Sequence, residues 1–156
     1  MQLDNTSAIV TGAASGLGHA VARALASEGV RVCGLDLAAA VETAQAAPGI
    51  TYTAADITDV DDVERAVALA ADAGPLRTVV NCAGVAPSAR ILGRHGVHDL
   101  PLYARVVGVN LVGTFNVMAL AARAGESPHS LFRRRVTWPL TASVSARSHR
   151  ASWTLR

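Results

Sequence analysis

Residues 7–18, SAIVTGAASGLG, decide the fold. A short β-branched run, Ser7 to Thr11, leads into Gly12, and residues 17–27 then place Leu17, Val21 and Leu25 at helical spacing. The order is strand, tight turn, helix. Within that turn Gly12 lets the chain reverse, Gly16 lets the backbone approach a pyrophosphate, and Gly18 permits close helix packing. The unpaired N–H groups and positive dipole end of the helix suit phosphate oxygens. Ser15 and Leu17 belong to the same loop and join the three glycines as candidate cofactor-binding residues. An ordinary turn would also use glycine, but the strand before and the helix after favour the phosphate cradle.

Outward from this loop the alternation repeats. Residues 30–35 form a second apolar run, and residues 41–47 are rich in helix formers. Residues 50–53 read as a third strand, and Asp59 caps a helix marked by Val60, Val63, Val67 and Ala71. Residues 76–81 (LRTVVN) are the fourth strand. A loop over 84–96 follows, and Asp99 with Pro101 opens a long helix through Leu102, Val106, Leu111, Phe115 and Met118. Four β-α repeats with near-continuous apolar strands predict an α/β, doubly wound, Rossmann-like parallel sheet in the order 3-2-1-4. Cys33 and Cys82 then sit two strands apart, roughly 9 to 10 Å, too far to bridge.

Asp36 follows the second strand about 20 residues beyond the loop, the spacing of a carboxylate that bonds both ribose hydroxyls of a dinucleotide. It also repels a 2′-phosphate. Leu37, Ala13, Ala14 and Ser15 supply no cation nearby, so the residues favour NAD over NADP. The plainer role of such an acid is a solvated loop carboxylate or a helix cap.

The chain has 156 residues, one average domain. With 51% hydrophobic and 17% charged residues and a mean hydropathy of +0.31, it is too apolar for a disordered chain. Taken over its whole length it is too evenly interrupted to predict a membrane span. Asp4 and Asn5 stand directly before the first apolar run where a secretory leader would be basic and apolar, so the expectation is a cytoplasmic protein. Two cysteines outline neither a disulfide framework nor a metal site, and the five histidines show no ligand spacing. No metal is expected.

Charge divides the chain at Arg123. Residues 1–123 hold eight Arg against eleven acids, whereas residues 124–156 hold six Arg against Glu126 alone. Residues 1–123 read as the NAD-binding domain. Residues 124–156 read as a basic, Ser/Arg-rich tail containing Arg133 to Arg135, Trp138, Pro139 and Trp153. Its lack of periodicity favours a solvated extension over a nucleic-acid or membrane patch, so neither partner is expected. All fourteen basic residues are Arg. The sequence contains no lysine.

These motifs together resemble the short-chain dehydrogenase/reductase family, whose glycine loop has the TGxxxGxG spacing of residues 11–18. Asp56 and Ile57 match the family's Asp-aliphatic pair beside the adenine. Asn81, Cys82, Ala83 and Gly84 match its Asn-x-Ala-Gly motif, and Asn110 matches its helix asparagine. The stretch from Gly93 to Ala122 is most similar to the branch containing type 2 3-hydroxyacyl-CoA dehydrogenases. The resemblance implies NAD as cofactor, a small-molecule secondary alcohol as substrate (a 3-hydroxyacyl-CoA or a hydroxysteroid), and a homo-oligomer if folded.

The family's chemistry requires a tyrosine with a lysine four residues later, since a phenol of ordinary pKa about 10 needs a cation beside it to act near neutrality. Here the tyrosines are Tyr52 and Tyr103, and the positions four on are Asp56 and Val107. Ser143, in Thr141-Ala142-Ser143, resembles the family's carbonyl-polarising serine, although Pro139 interrupts the strand before it. Asn110 and Ser143 are therefore the candidate catalytic residues. The expectation is a truncated, catalytically incomplete oxidoreductase; the alternative is a non-catalytic NAD-binding or subunit-interaction fragment.

Overall fold

The structure, a computed structural model, describes residues 3–87, 89–94 and 96–125. Four strands, β1 (Ser7–Thr11), β2 (Arg31–Asp36), β3 (Ile50–Ala54) and β4 (Leu76–Asn81), form one parallel sheet in the order β3-β2-β1-β4. This is the expected doubly wound topology. Helix α1 (Gly16–Ser27) covers one face, and α3 (Val60–Ala73) covers the other together with a long helical run over residues 100–125.

Side-chain alternation along the strands builds the two halves of the core. Ala8, Val10 and Val32 point toward α1 and pack with Ala22 and Val30. Ile9, Cys33 and Leu35 point the other way, onto Val63, Ala66 and Val67 of α3 and Val117 and Ala121 of the long helix. All five residues of β1 are buried because both faces and both edges are covered. In β4 only Leu76 is buried, since no strand pairs beyond it among the described residues.

Three expectations need correction. The second helix, α2 (Ala38–Glu42), is shorter and earlier than residues 41–47. It starts directly after Asp36 with Leu37 as cap, and it ends at Thr43, whose hydroxyl donates to the Ala40 carbonyl 3.1 Å away. Such back-bonding and the following Pro48 both oppose continuation. The loop over 84–96 contains a small antiparallel hairpin, β5 (Leu92–Gly93) with β6 (Gly96–Val97). The long helix is three pieces: α4 (Leu100–Val107), a π-helical turn over Gly108–Gly113, and α5 (Thr114–Gly125).

Leu100–Ala124 is also long and apolar enough to cross a membrane by length and composition, which the whole-chain average conceals. Its inner side lies on the sheet, with Val117 and Ala121 in the core. Its outer side exposes Leu100, Tyr103, Leu111, Val112 and Phe115. Cys33 and Cys82 are both free thiols, as the strand order requires.

Candidate cofactor cleft

A cleft of about 640 Å³ opens at the C-terminal ends of β1, β2 and β4. Its floor is the loop between β1 and α1. Gly12 has φ +66°, and a Cβ there would stand 2.9 Å from the Ala83 amide nitrogen, so only glycine fits both the backbone and the space. A Cβ on Gly18 would lie 2.0 Å from the Gly12 carbonyl oxygen, which is what lets α1 begin directly against the loop. A Cβ on Gly16 would meet nothing within 4 Å, because that position faces the open cleft.

Thr11 joins the two loops at the floor. Its buried hydroxyl accepts hydrogen bonds from the Cys82 and Ala83 amides, each 3.0 Å. The ends of β1 and β4 are thereby held in register. Thr11 carries no charge and lines no wall, so only its place before Gly12 marks it in the sequence.

Asp36 closes one side. One carboxylate oxygen accepts from the Ala14 amide at 3.0 Å and the other from the Leu37 amide at 2.9 Å. These bonds aim the carboxylate across the glycine loop, and each oxygen keeps a lone pair for a further donor. At the far end, Asp56 accepts on one oxygen from both the amide and the hydroxyl of Thr58, at 2.9 and 2.7 Å. Its other oxygen takes no bond among the described residues. The Asp56 amide donates to Asp62 at 2.8 Å, and this bond holds the Asp62 carboxyl below the usual carboxylate range. Partial desolvation opposes the shift, and Arg65 assists it.

Ile57 meets the long helix at its closest point, where a Cβ on Gly113 would stand 2.7 Å from the Ile57 side chain. The Asn116 amide also donates to the Ile57 carbonyl at 3.3 Å. Gly12, Ser15, Gly16, Leu17, Gly18, Asp36, Asp56, Ile57, Cys82, Ala83 and Gly84 all line this one cleft. Leu37, read in the sequence as the uncharged neighbour of Asp36, lines it too. Thr58, Val85, Arg105 and Val109 also line it; each is an ordinary residue type without a fixed spacing from the glycine loop, so the sequence does not single them out. Burial pushes the Cys82 thiol up, so it stands in the wall as a neutral group.

Asn81 and Asn110 lie elsewhere, in an adjoining cleft of about 340 Å³ beside Ala83, Gly84, Thr114 and Met118. Asn110 sits in the π-helical turn, and both the oxygen and the nitrogen of its amide engage Val85, the oxygen accepting from that amide at 2.9 Å and the nitrogen donating to that carbonyl at 2.8 Å. Gly84 makes the approach possible, since a Cβ there would come 3.1 Å from the Asn110 oxygen. Geometry thus gives Asn110 a positioning role for the strip that separates the clefts. The buried Asn81 side-chain oxygen has no partner among the described residues. Ser143 lies outside the described residues.

Neither tyrosine lines either cleft. Tyr52 hydrogen-bonds His19 at 2.9 Å with the rings nearly parallel, and burial raises its phenol pKa despite Arg23. Tyr103 is exposed on α4. No cluster of metal-ligating side chains occurs among the described residues.

A parallel doubly wound sheet with a glycine turn, a helix N-terminus and a carboxylate at the strand ends defines a dinucleotide-binding domain. The profile of the short chain dehydrogenase family matches residues 6–129, and the chain belongs to that family. It is 38% identical over 146 residues to human 3-hydroxyacyl-CoA dehydrogenase type-2, covering 89% of this chain and 56% of that protein. It is 37% identical over 136 residues to an L-rhamnose 1-dehydrogenase (NAD(P)(+)) of Azotobacter vinelandii, covering 79% and 51%. The crystal structure of 3-hydroxyacyl-CoA dehydrogenase type-2 from Mycobacterium avium superposes with a TM-score of 0.67 at 32% identity, over 79% of this chain and 50% of that one. The chain spans about half the length of the curated relatives it matches.

Proposed function

We propose that the larger cleft binds NAD and that this chain is the cofactor-binding part of an oxidoreductase acting on a secondary alcohol, a 3-hydroxyacyl-CoA or a hydroxysteroid-like molecule. Asp36 carries the reading. Its two oxygens are fixed by the Ala14 and Leu37 amides on the rim beside the glycine loop, where a ribose diol would meet them and a 2′-phosphate would be repelled. The open space over Gly16, with the α1 amides beyond it, fits a pyrophosphate. NAD bound here would supply the acceptor for a hydride from the alcohol carbon.

The described residues bind and orient, and none of those that line the two clefts is placed to move the proton. The sequence has no lysine, and neither tyrosine reaches a cleft. That observation favours the second reading, a non-catalytic NAD-binding fragment, for the chain acting alone. Titration calorimetry should show binding of NAD in preference to NADP, and Asp36→Ser with Leu37→Arg should reverse the preference. Binding of neither dinucleotide by the folded chain would overturn the cofactor assignment. With 3-hydroxybutyryl-CoA and NAD, NADH formation should fall at least ~10³-fold below that of a relative with the Tyr-x-x-x-Lys pair, because acid-base groups contribute about 10²- to 10⁴-fold each. Turnover that survives Tyr52→Phe and Tyr103→Phe would refute the account of the missing proton donor.

A further inference from the structure

Among the described residues that line the larger cleft, Asp36, Asp56 and Arg105 carry charge, and Arg105 is the cation. It stands on α4, exposed, with no ion pair among the described residues. A guanidinium left unpaired on the wall of a cleft that holds two carboxylates has no structural duty to explain it.

Its place on the helix says what it faces. Arg105 and Val109 are four residues apart and share one helix face. Val109 packs against the cluster that contains Ala55 and Ile57 and lines the cleft with them. One turn earlier, Arg105 lines the same cleft and is exposed. In the NAD reading, on which this inference rests, the glycine loop would hold the pyrophosphate and Asp36 the ribose. Leu37, Ile57 and the free oxygen of Asp56 would then meet the adenine. The walls there are aliphatic, and no aromatic side chain lines them to stack on the purine.

We propose that Arg105 is a cofactor-binding residue that lays its planar guanidinium on the exposed face of the adenine, closing the purine between itself and the Ile57-Val109 wall. Arginine suits this role because its delocalised plane stacks on aromatic rings and is weakly hydrated. The arrangement also places a positive charge at the mouth of a cleft whose fixed charges are otherwise negative, where an anionic dinucleotide enters.

The test is titration calorimetry with NAD, AMP and nicotinamide mononucleotide on the wild-type chain, Arg105→Ala and Arg105→Lys. AMP and the mononucleotide each carry one phosphomonoester, so they differ in the base. Arg105→Ala should weaken NAD and AMP alike by roughly threefold to thirtyfold, the range of a cation on an aromatic face. It should leave the mononucleotide unchanged, with Arg105→Lys intermediate and the loss nearly independent of salt between 50 and 300 mM. Because Arg105 is exposed, far-UV dichroism should be unaltered in both variants. Wild-type affinity for AMP in Arg105→Ala would overturn the proposal while leaving the NAD reading intact, and so would an equal, salt-sensitive loss for the mononucleotide, which would mean phosphate pairing. If the wild-type chain bound neither NAD nor AMP, both would fall.

Discussion

The two flanks of β1 are built differently. On the β2 side, both carboxylate oxygens of Asp36 at the strand end are held by amides. On the β4 side, Thr11 holds the Cys82 and Ala83 amides, yet the strand is half-buried, the Asn81 side-chain oxygen is buried without a partner among the described residues, and the neighbouring helix exposes Leu111, Val112 and Phe115. A buried acceptor without a donor costs about 1–3 kcal/mol. The β2 flank is therefore firmly pinned, while the β4 flank leaves a buried polar atom and apolar side chains without partners among the described residues.

The largest effect that can break this contrast is at Gly18. Gly18→Ala forces a methyl carbon to 2.0 Å from the Gly12 carbonyl oxygen. It should destabilise the fold by about 3 kcal/mol, the upper end for overpacking, as read by urea denaturation, and abolish NAD binding. Gly16→Ala meets no atom and pays only for φ +53°, about 1–2 kcal/mol. Equal losses for the two would show that the loop is not packed as described.

Next comes Thr11→Val, which keeps the shape and strands two amides, at a cost of about 2 kcal/mol; Thr11→Ser should recover most of it. On the β4 flank, Asn110→Ala removes two bonds to Val85 at an exposed site. About 1 kcal/mol of stability should be lost, with NAD affinity changed less than about threefold. A larger fall in affinity than in stability would mean that the two clefts act as one.

The smallest effect is on pH dependence. The folded Asp62 carboxyl has a lowered pKa, chiefly through the Asp56 amide, so its contribution is present above the unfolded value and disappears as pH falls through the folded one. Asp62→Asn should lower stability modestly at pH 7, converge with wild type in acid and so flatten the decline below about pH 4. An unchanged acid limb would show that the Asp56-Asp62 bond does not form in solution.

Most of the sheet and the cofactor cleft could be read directly, because each signal was local. SAIVTGAASGLG encodes a strand, a turn and a helix in twelve consecutive residues, and Asp36 sits at the end of an apolar run. What escaped was set by distant partners. Gly113, at the end of the π-helical turn, comes too close to Ile57 for a side chain, and Asp62 matters because its carboxylate meets the Asp56 amide. Arg105 joins the cleft through the path of α4. None of these residue types announces itself by spacing. The short α2 shows the same limit in reverse, since helix-forming composition over 41–47 gave way to the capping geometry of residues 36–38 and the brake at Thr43.

By itself the sequence determined the strand order, the glycine cradle, the carboxylate at the second strand and the absence of a lysine, since these follow from periodicity, turn chemistry and composition. Only the tertiary structure decided that Asn81 and Asn110 line a second cleft, that Asn110's amide engages Val85, and that Arg105, without an ion pair among the described residues, lines the first. The physical reason is that hydrogen-bond satisfaction and burial are properties of atoms brought together from far along the chain, and Val85 and Asn110 are twenty-five residues apart.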